Sequence, residues 1–275
     1  MIKPAQVLGQ PAMRLVTRDG AEATVLLHGA QIVSWIPAGD VERLYLSPLA
    51  SAAAGQAVRG GIPIVFPQFA QQGPLPRHGL ARDRAWQWVD GQTRDGACIG
   101  VLRLTDDDAT RAIWPHRFEA ELTLNVEGQR LDVELAITNR GDAPLHFTAA
   151  LHSYLRCDDV ERARLHGLYG VEYRDALSGK TQQQELDPIG FAGAIERIYL
   201  DLHSPLSLAT AFSRLAISAE GFPDAVVWNP GPEHHLADLP ADDWRRMLCV
   251  EAACVGRPVT LAPGAEWAAR QSLQA

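Results

Sequence analysis

Cysteine is sparse: four residues in 275, with Cys98, Cys157, Cys249 and Cys254 far apart and no Cys-x-x-Cys pair. This argues against a zinc knuckle and against a disulfide framework, and reduced, mostly buried thiols are expected. No apolar run reaches the ~18 residues needed for a membrane-spanning helix. The N-terminal stretch MIKPAQVLGQPAMRL has no apolar signal core, so a cytoplasmic protein is expected. There is also no GxSxG, no P-loop and no dinucleotide fingerprint. The formal net charge of -8 speaks against general affinity for nucleic acid or an anionic membrane, and an anionic ligand would need a local basic pocket.

Helical patterning is thin as well, and PADDWRRM (240 to 247) is the one short helix expected, its acids leading and its arginines trailing. Period-two alternation dominates instead. In EAELTLNV (119 to 126) Ala120, Leu122, Leu124 and Val126 share one face, and LDVELAI (131 to 137) repeats the pattern after a short link to make a hairpin. MRLVTRDGAEATVLL (13 to 27) carries Asp-Gly between alternating flanks and predicts another. Further strands are expected at 85–89, 99–104, 145–151, 197–202, 206–212, 214–219, 225–229, 247–253 and 258–263. With 23 glycines and 18 prolines between short strands and no linker or repeat, the expectation is a single all-β domain over 1–275, a large antiparallel β-sandwich with few short helices.

Two strand-like segments contain groups that pack poorly. LHSYLRC (151 to 157) reads as one half-buried strand holding His152, and MLCVEAA (247 to 253) puts Glu251 on a face with Cys249 and Ala253. A carboxylate in such a strand is costly unless paired or used. Each residue alone fits a satisfied polar group at a sheet edge; together they fit a proton donor and acceptor working near neutrality. From Leu44 to Arg82 the chain holds Arg59, Arg77 and Arg82 and no acid. Solvated loop arginines are one reading and a phosphate site is the other, since the guanidinium fork suits phosphate. Gln68, Arg77, His78 and Arg82 share the Gly/Pro-rich loop PQFAQQGPLPRHGLAR (67 to 82). Elsewhere, Glu233-His234-His235 reads as a polar loop, Asp106-Asp107-Asp108 as a solvated turn, His116 as the lead-in to a strand, and Trp228 either as core or as a platform for a sugar ring.

RGGIPIVFPQF, LPRHGLARDRAW, WPHRFEAEL, ALHSYLRCDDV, IERIYL, VVWNP and MLCVEAA, in this order from residue 59 to residue 253, resemble the hexose-6-phosphate mutarotases, or glucose-6-phosphate 1-epimerases, of the aldose 1-epimerase superfamily. The resemblance implies a galactose-mutarotase-type sandwich with a sugar cleft on one sheet, His152 as general acid and Glu251 as general base. It gives Arg59, Arg77 and Arg82 to the substrate and its phosphate, His78 to the sugar cleft, and Glu196, where the family usually has aspartate, to a sugar hydroxyl; Gln68, on the same loop as His78, is expected to bind substrate as well. Neither metal nor organic cofactor is implied, and a monomer is expected. His152 and Glu251 are expected to face each other across a gap one pyranose wide. Rival readings are the same reaction on unphosphorylated aldoses, a non-catalytic carbohydrate-binding module, and a glycosidase pairing Glu251 with a second acid.

Overall fold

The computed structural model describes residues 1–53 and 56–275. Its strands form three antiparallel sheets. One has four strands, Ile2–Val7, Gln10–Val16, Glu22–Leu26 and Ile32–Ile36, in chain order. The second has eight and runs from Lys180–Gln183 through Glu172–Asp175, Ile195–Tyr199, Asp224–Asn229, Met247–Leu261 and Leu145–Leu151 to Ile64–Val65, with Tyr154–Arg156 also on Met247–Leu261. The third, also eight-stranded, centres on Phe118–Glu127, Arg130–Asn139 and Glu266–Gln274. All-β architecture follows from the alternation. Every second residue of Phe118–Glu127 is buried, and Leu122, Leu124, Leu135 and Ile137 join Leu151, Leu248, Val250 and Ala252 of the second sheet in one apolar cluster.

The strand Met247–Leu261 is buried on both faces over its first nine residues. Leu248, Val250, Ala252 and Cys254 enter the core between the sheets, while Met247, Cys249, Ala253 and Val255 pack in smaller clusters on the other side. Glu251 belongs to that second side. A single strand covers the segment expected at 247–253 and, up to Leu261, the one expected at 258–263. All four cysteines are free and buried. Among the described residues no helix is long and apolar enough to cross a membrane.

Three expectations need correction. LHSYLRC is not one strand: Leu145–Leu151 stops, His152 and Ser153 leave the ladder, and Tyr154–Arg156 resumes it. The Asp106–Asp108 run is not merely a turn, because Asp107 caps the helix Asp108–Ile113, accepting from the Thr110 amide at 2.7 Å while Thr110 Oγ1 accepts from the Asp107 amide at 2.8 Å. PADDWRRM tightens into a four-residue 3-10 turn, Asp243–Arg246.

Candidate active site

His152 and Glu251 are cross-strand neighbours. The register Leu151↔Ala252, resumed at Tyr154↔Cys249, leaves the two directly opposite, and His152 Nε2 lies 3.4 Å from Glu251 Oε1. The expected pyranose-wide gap is therefore absent, since residues opposite each other on paired strands have Cβ atoms only about 5 Å apart. Both residues are buried, at 7% and 2% exposure. His152 Nδ1 and Glu251 Oε2 are buried without a hydrogen-bond partner among the described residues. Such unmet polar atoms are expensive in a finished core and are typical of groups reserved for a ligand.

Burial governs the charge state of the pair. It drives His152 well below the ordinary imidazole range, helped by the neighbouring His78, whose own protonation would repel it, and by the positive charges of Arg82 and Arg59. It drives Glu251 well above the carboxylate range, helped by Glu196 and opposed by Arg77 and Arg82. Both partners are pushed toward their neutral forms, so a single proton shared between them rests on the carboxyl.

A cavity of about 240 Å³ opens on this pair, lined by Arg59, Arg77, His78, Arg82, Glu196 and Trp228 among others. It falls somewhat below the usual range of small-ligand pockets, ~300–1,000 Å³. A second hollow of about 270 Å³ shares Arg59, Arg82, His152 and Tyr154 with it. Arg59 Nη1 donates to the Tyr154 hydroxyl at 2.8 Å and its Nε to Asp238 Oδ1 at 3.1 Å. Its loop is held tightly: Gly60 has φ +114°, and a Cβ there would sit 2.4 Å from the Tyr45 carbonyl oxygen. Arg82 donates to the Arg77 carbonyl at 2.8 Å, and its buried Nε, 3.9 Å from Asp83 Oδ1, has no hydrogen-bond partner among the described residues. His78 has φ +67°, and its Nδ1 accepts from the Ala70 amide at 3.3 Å. Burial, with Arg82, Arg77 and Arg59 nearby, lowers its pKa to about 3, so it is neutral and carries its hydrogen on Nε2 as a donor. Glu196 lies opposite Trp228 on the neighbouring strand.

Gln68 departs from its expected role. Its Nε2 donates to the carbonyls of Ala70 and Leu75 at 3.1 and 3.0 Å, and its Oε1 accepts from the Leu75 amide at 2.9 Å. The amide is consumed in bracing its own loop and does not line the cavity.

Three residues of the site lay outside the expected set or were left open. Tyr154 stacks on the His152 ring, centroids 4.8 Å apart and planes 10° apart, and presents its hydroxyl to Arg59. Period two from His152 was the signal that would have found it. Trp228 lines the cavity edge-on to His152 at 6.0 Å, which favours the platform over the core reading. Asp238 comes from a loop 179 residues beyond Arg59, and nothing local marks it. Glu233-His234-His235 takes no part, and among the described residues no cluster of three or more His, Cys, Asp or Glu is placed to hold a metal.

With the geometry in place, similarity to known proteins becomes informative. Residues 11–274 match the aldose 1-epimerase family model. A provisionally named glucose-6-phosphate 1-epimerase of Cenchrus ciliaris is 35% identical over 270 residues, covering 92% of this chain and 81% of its own. One from Escherichia coli strain K12 with the same provisional name is 31% identical over 248 residues, covering 87% and 82%. A solved structure provisionally described as a mutarotase, from Salmonella typhimurium, superposes with a TM-score of 0.91 at 26% identity, covering 99% of this chain and 92% of that one. The chain belongs to the aldose 1-epimerase family.

Proposed function

We propose that this protein interconverts the α and β anomers of a hexose 6-phosphate, with glucose 6-phosphate as the first substrate to test. The observation that carries the reading is the buried His152–Glu251 contact at a cavity bearing three arginines. The provisional names of the two relatives point to the same substrate.

The anomeric hydroxyl and the ring oxygen are bonded to one carbon, so adjacent catalytic groups suit them better than groups a sugar apart. Glu251 as carboxylate takes the hydroxyl proton while His152 as imidazolium delivers one to the ring oxygen. The C1–O5 bond breaks and the C1 carbonyl forms. Glu251 is then protonated and His152 neutral, the distribution that burial favours. Rotation about C1–C2 presents the other face of the aldehyde, and closure reverses both transfers. The pair holds one proton in total at each stage. Positioned acid–base catalysis of this kind contributes about 10²–10⁴-fold.

Arg59, Arg77 and Arg82 hold the phosphate, and that remote binding energy orients C1 over the pair. His78, Glu196 and Trp228 take the sugar's hydroxyls and ring face. Exchange NMR of glucose 6-phosphate and of glucose, each with catalytic enzyme, tests the reading. Selective acceleration of the phosphate ester is expected; equal acceleration removes the phosphate assignment, and none of either removes the activity.

A further inference from the structure

The interruption that aims His152 at Glu251 has a specific mechanical support. In a regular antiparallel ladder Ser153 and Val250 would exchange two backbone hydrogen bonds. Only one is made, from the Val250 amide to the Ser153 carbonyl at 3.1 Å. The Ser153 amide instead turns to the Leu151 carbonyl at 3.0 Å, and the His152 amide goes to the Pro63 carbonyl at 3.0 Å. Val250 is thereby deprived of its ladder donor. Gln271, from the opposite sheet, supplies another: its Nε2 donates to the Val250 carbonyl at 3.1 Å, while its Oε1 accepts from Ser153 Oγ at 2.5 Å.

Gln271 is 1% exposed and Ser153 fully buried. A buried primary amide is an expensive occupant of a space between two apolar sheet faces, where Met or Leu would pack without cost. Next to it is a hollow of about 280 Å³, lined also by Leu206, Ile217 and Phe222, so the site does not need the amide for close packing. Its two hydrogen bonds end on the residue after His152 and the residue before Glu251. Interrupted ladders beside active sites re-aim side chains, and here a side chain from the second sheet stitches the interruption.

We infer that Gln271, through Ser153 and Val250, is a positioning residue that sets the separation and alignment of His152 and Glu251 from the core side. It makes no hydrogen bond to either member of the pair and does not line the cavity. The inference rests on the epimerase reading for its kinetic consequence and on the geometry alone for its effect on His152. Loss of the bridge lets the His152–Ser153 segment settle elsewhere, which changes the alignment of donor and acceptor and leaves the phosphate-binding arginines in place.

The test uses Ser153→Ala, Gln271→Met and the double variant in the full chain. For glucose 6-phosphate anomer exchange, kcat is expected to fall roughly tenfold in each single variant with KM nearly constant, and the double is expected to be no worse than the poorer single. The titration of the His152 ring, followed by NMR without substrate, is expected to move in both. Should Gln271→Met not fold, Ser153→Ala carries both readouts. Unchanged kcat and unchanged His152 titration in folded variants, with only the melting temperature lowered, would show a purely structural bridge and overturn the inference. Losses that multiply in the double would overturn the single-unit bridge. A wild type that does not accelerate anomer exchange would defeat the epimerase reading instead, and the His152 titration would still decide the bridge.

Discussion

Glu251 combines a functional requirement with a cost to folding. Burial raises its pKa above 4.5, so the folded protein retains a proton that the unfolded chain releases near that pH. Stability must then fall as pH rises from 4.5 through the folded value and remain reduced above it. Glu251→Gln removes this cost. Its melting temperature is expected to exceed the wild type's by several degrees at alkaline pH, the gain shrinking as the buffer approaches pH 4.5, as a calorimetric pH series would show. His152 has the opposite shift: after burial, the neighbouring His78 imidazole and the charges on Arg82 and Arg59 lower its pKa. A phosphate bound by the arginines offsets their charge, so inorganic phosphate is expected to raise the pH at which His152 titrates by NMR. A substrate phosphate would thus assist in making the imidazolium that ring opening uses.

The elements fix where these residues can go, and they were unequally legible. Alternation alone put Glu251 on a face with Cys249 and Ala253, and the structure keeps that face apart from Leu248, Val250 and Ala252. The partner of that strand was not legible, because the pairing of residues 149–156 with 247–254 is a long-range fact that local periodicity does not encode. This is why a gap was expected where there is a contact. The strand Glu266–Gln274 escaped notice because its residue types do not alternate as its burial does: the inward series Trp267, Ala269, Gln271 and Leu273 includes a polar amide, and Gln271 was missed with it. The helix Asp108–Ile113 is too short to show a period of 3.6. The 67–82 loop was recognised as a binding loop, though its geometry depends on backbone that sequence shows only as glycine. Gly79 has φ +76°, and a Cβ there would lie 2.2 Å from the Phe66 carbonyl oxygen. Gly79→Ala is expected to cost about 1–3 kcal/mol in denaturant unfolding. It should also raise KM for glucose 6-phosphate by displacing His78 and Arg77.

The whole molecule is acidic, at -8, and yet presents Arg59, Arg77 and Arg82 at one cavity. Local positive potential in a concave site dominates over distant charge, since exposed charges beyond a Debye length of ~10 Å at 0.1 M salt are screened. KM for glucose 6-phosphate is therefore expected to rise with ionic strength, whereas an uncharged sugar should show little salt dependence. Steady-state measurements over a salt series distinguish the two. The two large sheets meet in a common core whose side chains brace the strand bearing Glu251, while the opposite face of that strand carries the chemistry. One sheet thus serves as a rigid platform and the other as its support.

The most direct test of the proton-sharing pair is the anomer exchange rate of glucose 6-phosphate with Glu251→Gln, measured by exchange NMR at saturating substrate beside the wild type. A rate reduced by about 10²–10⁴-fold with substrate binding retained is the predicted result. A variant that exchanges anomers at nearly the wild-type rate would contradict it.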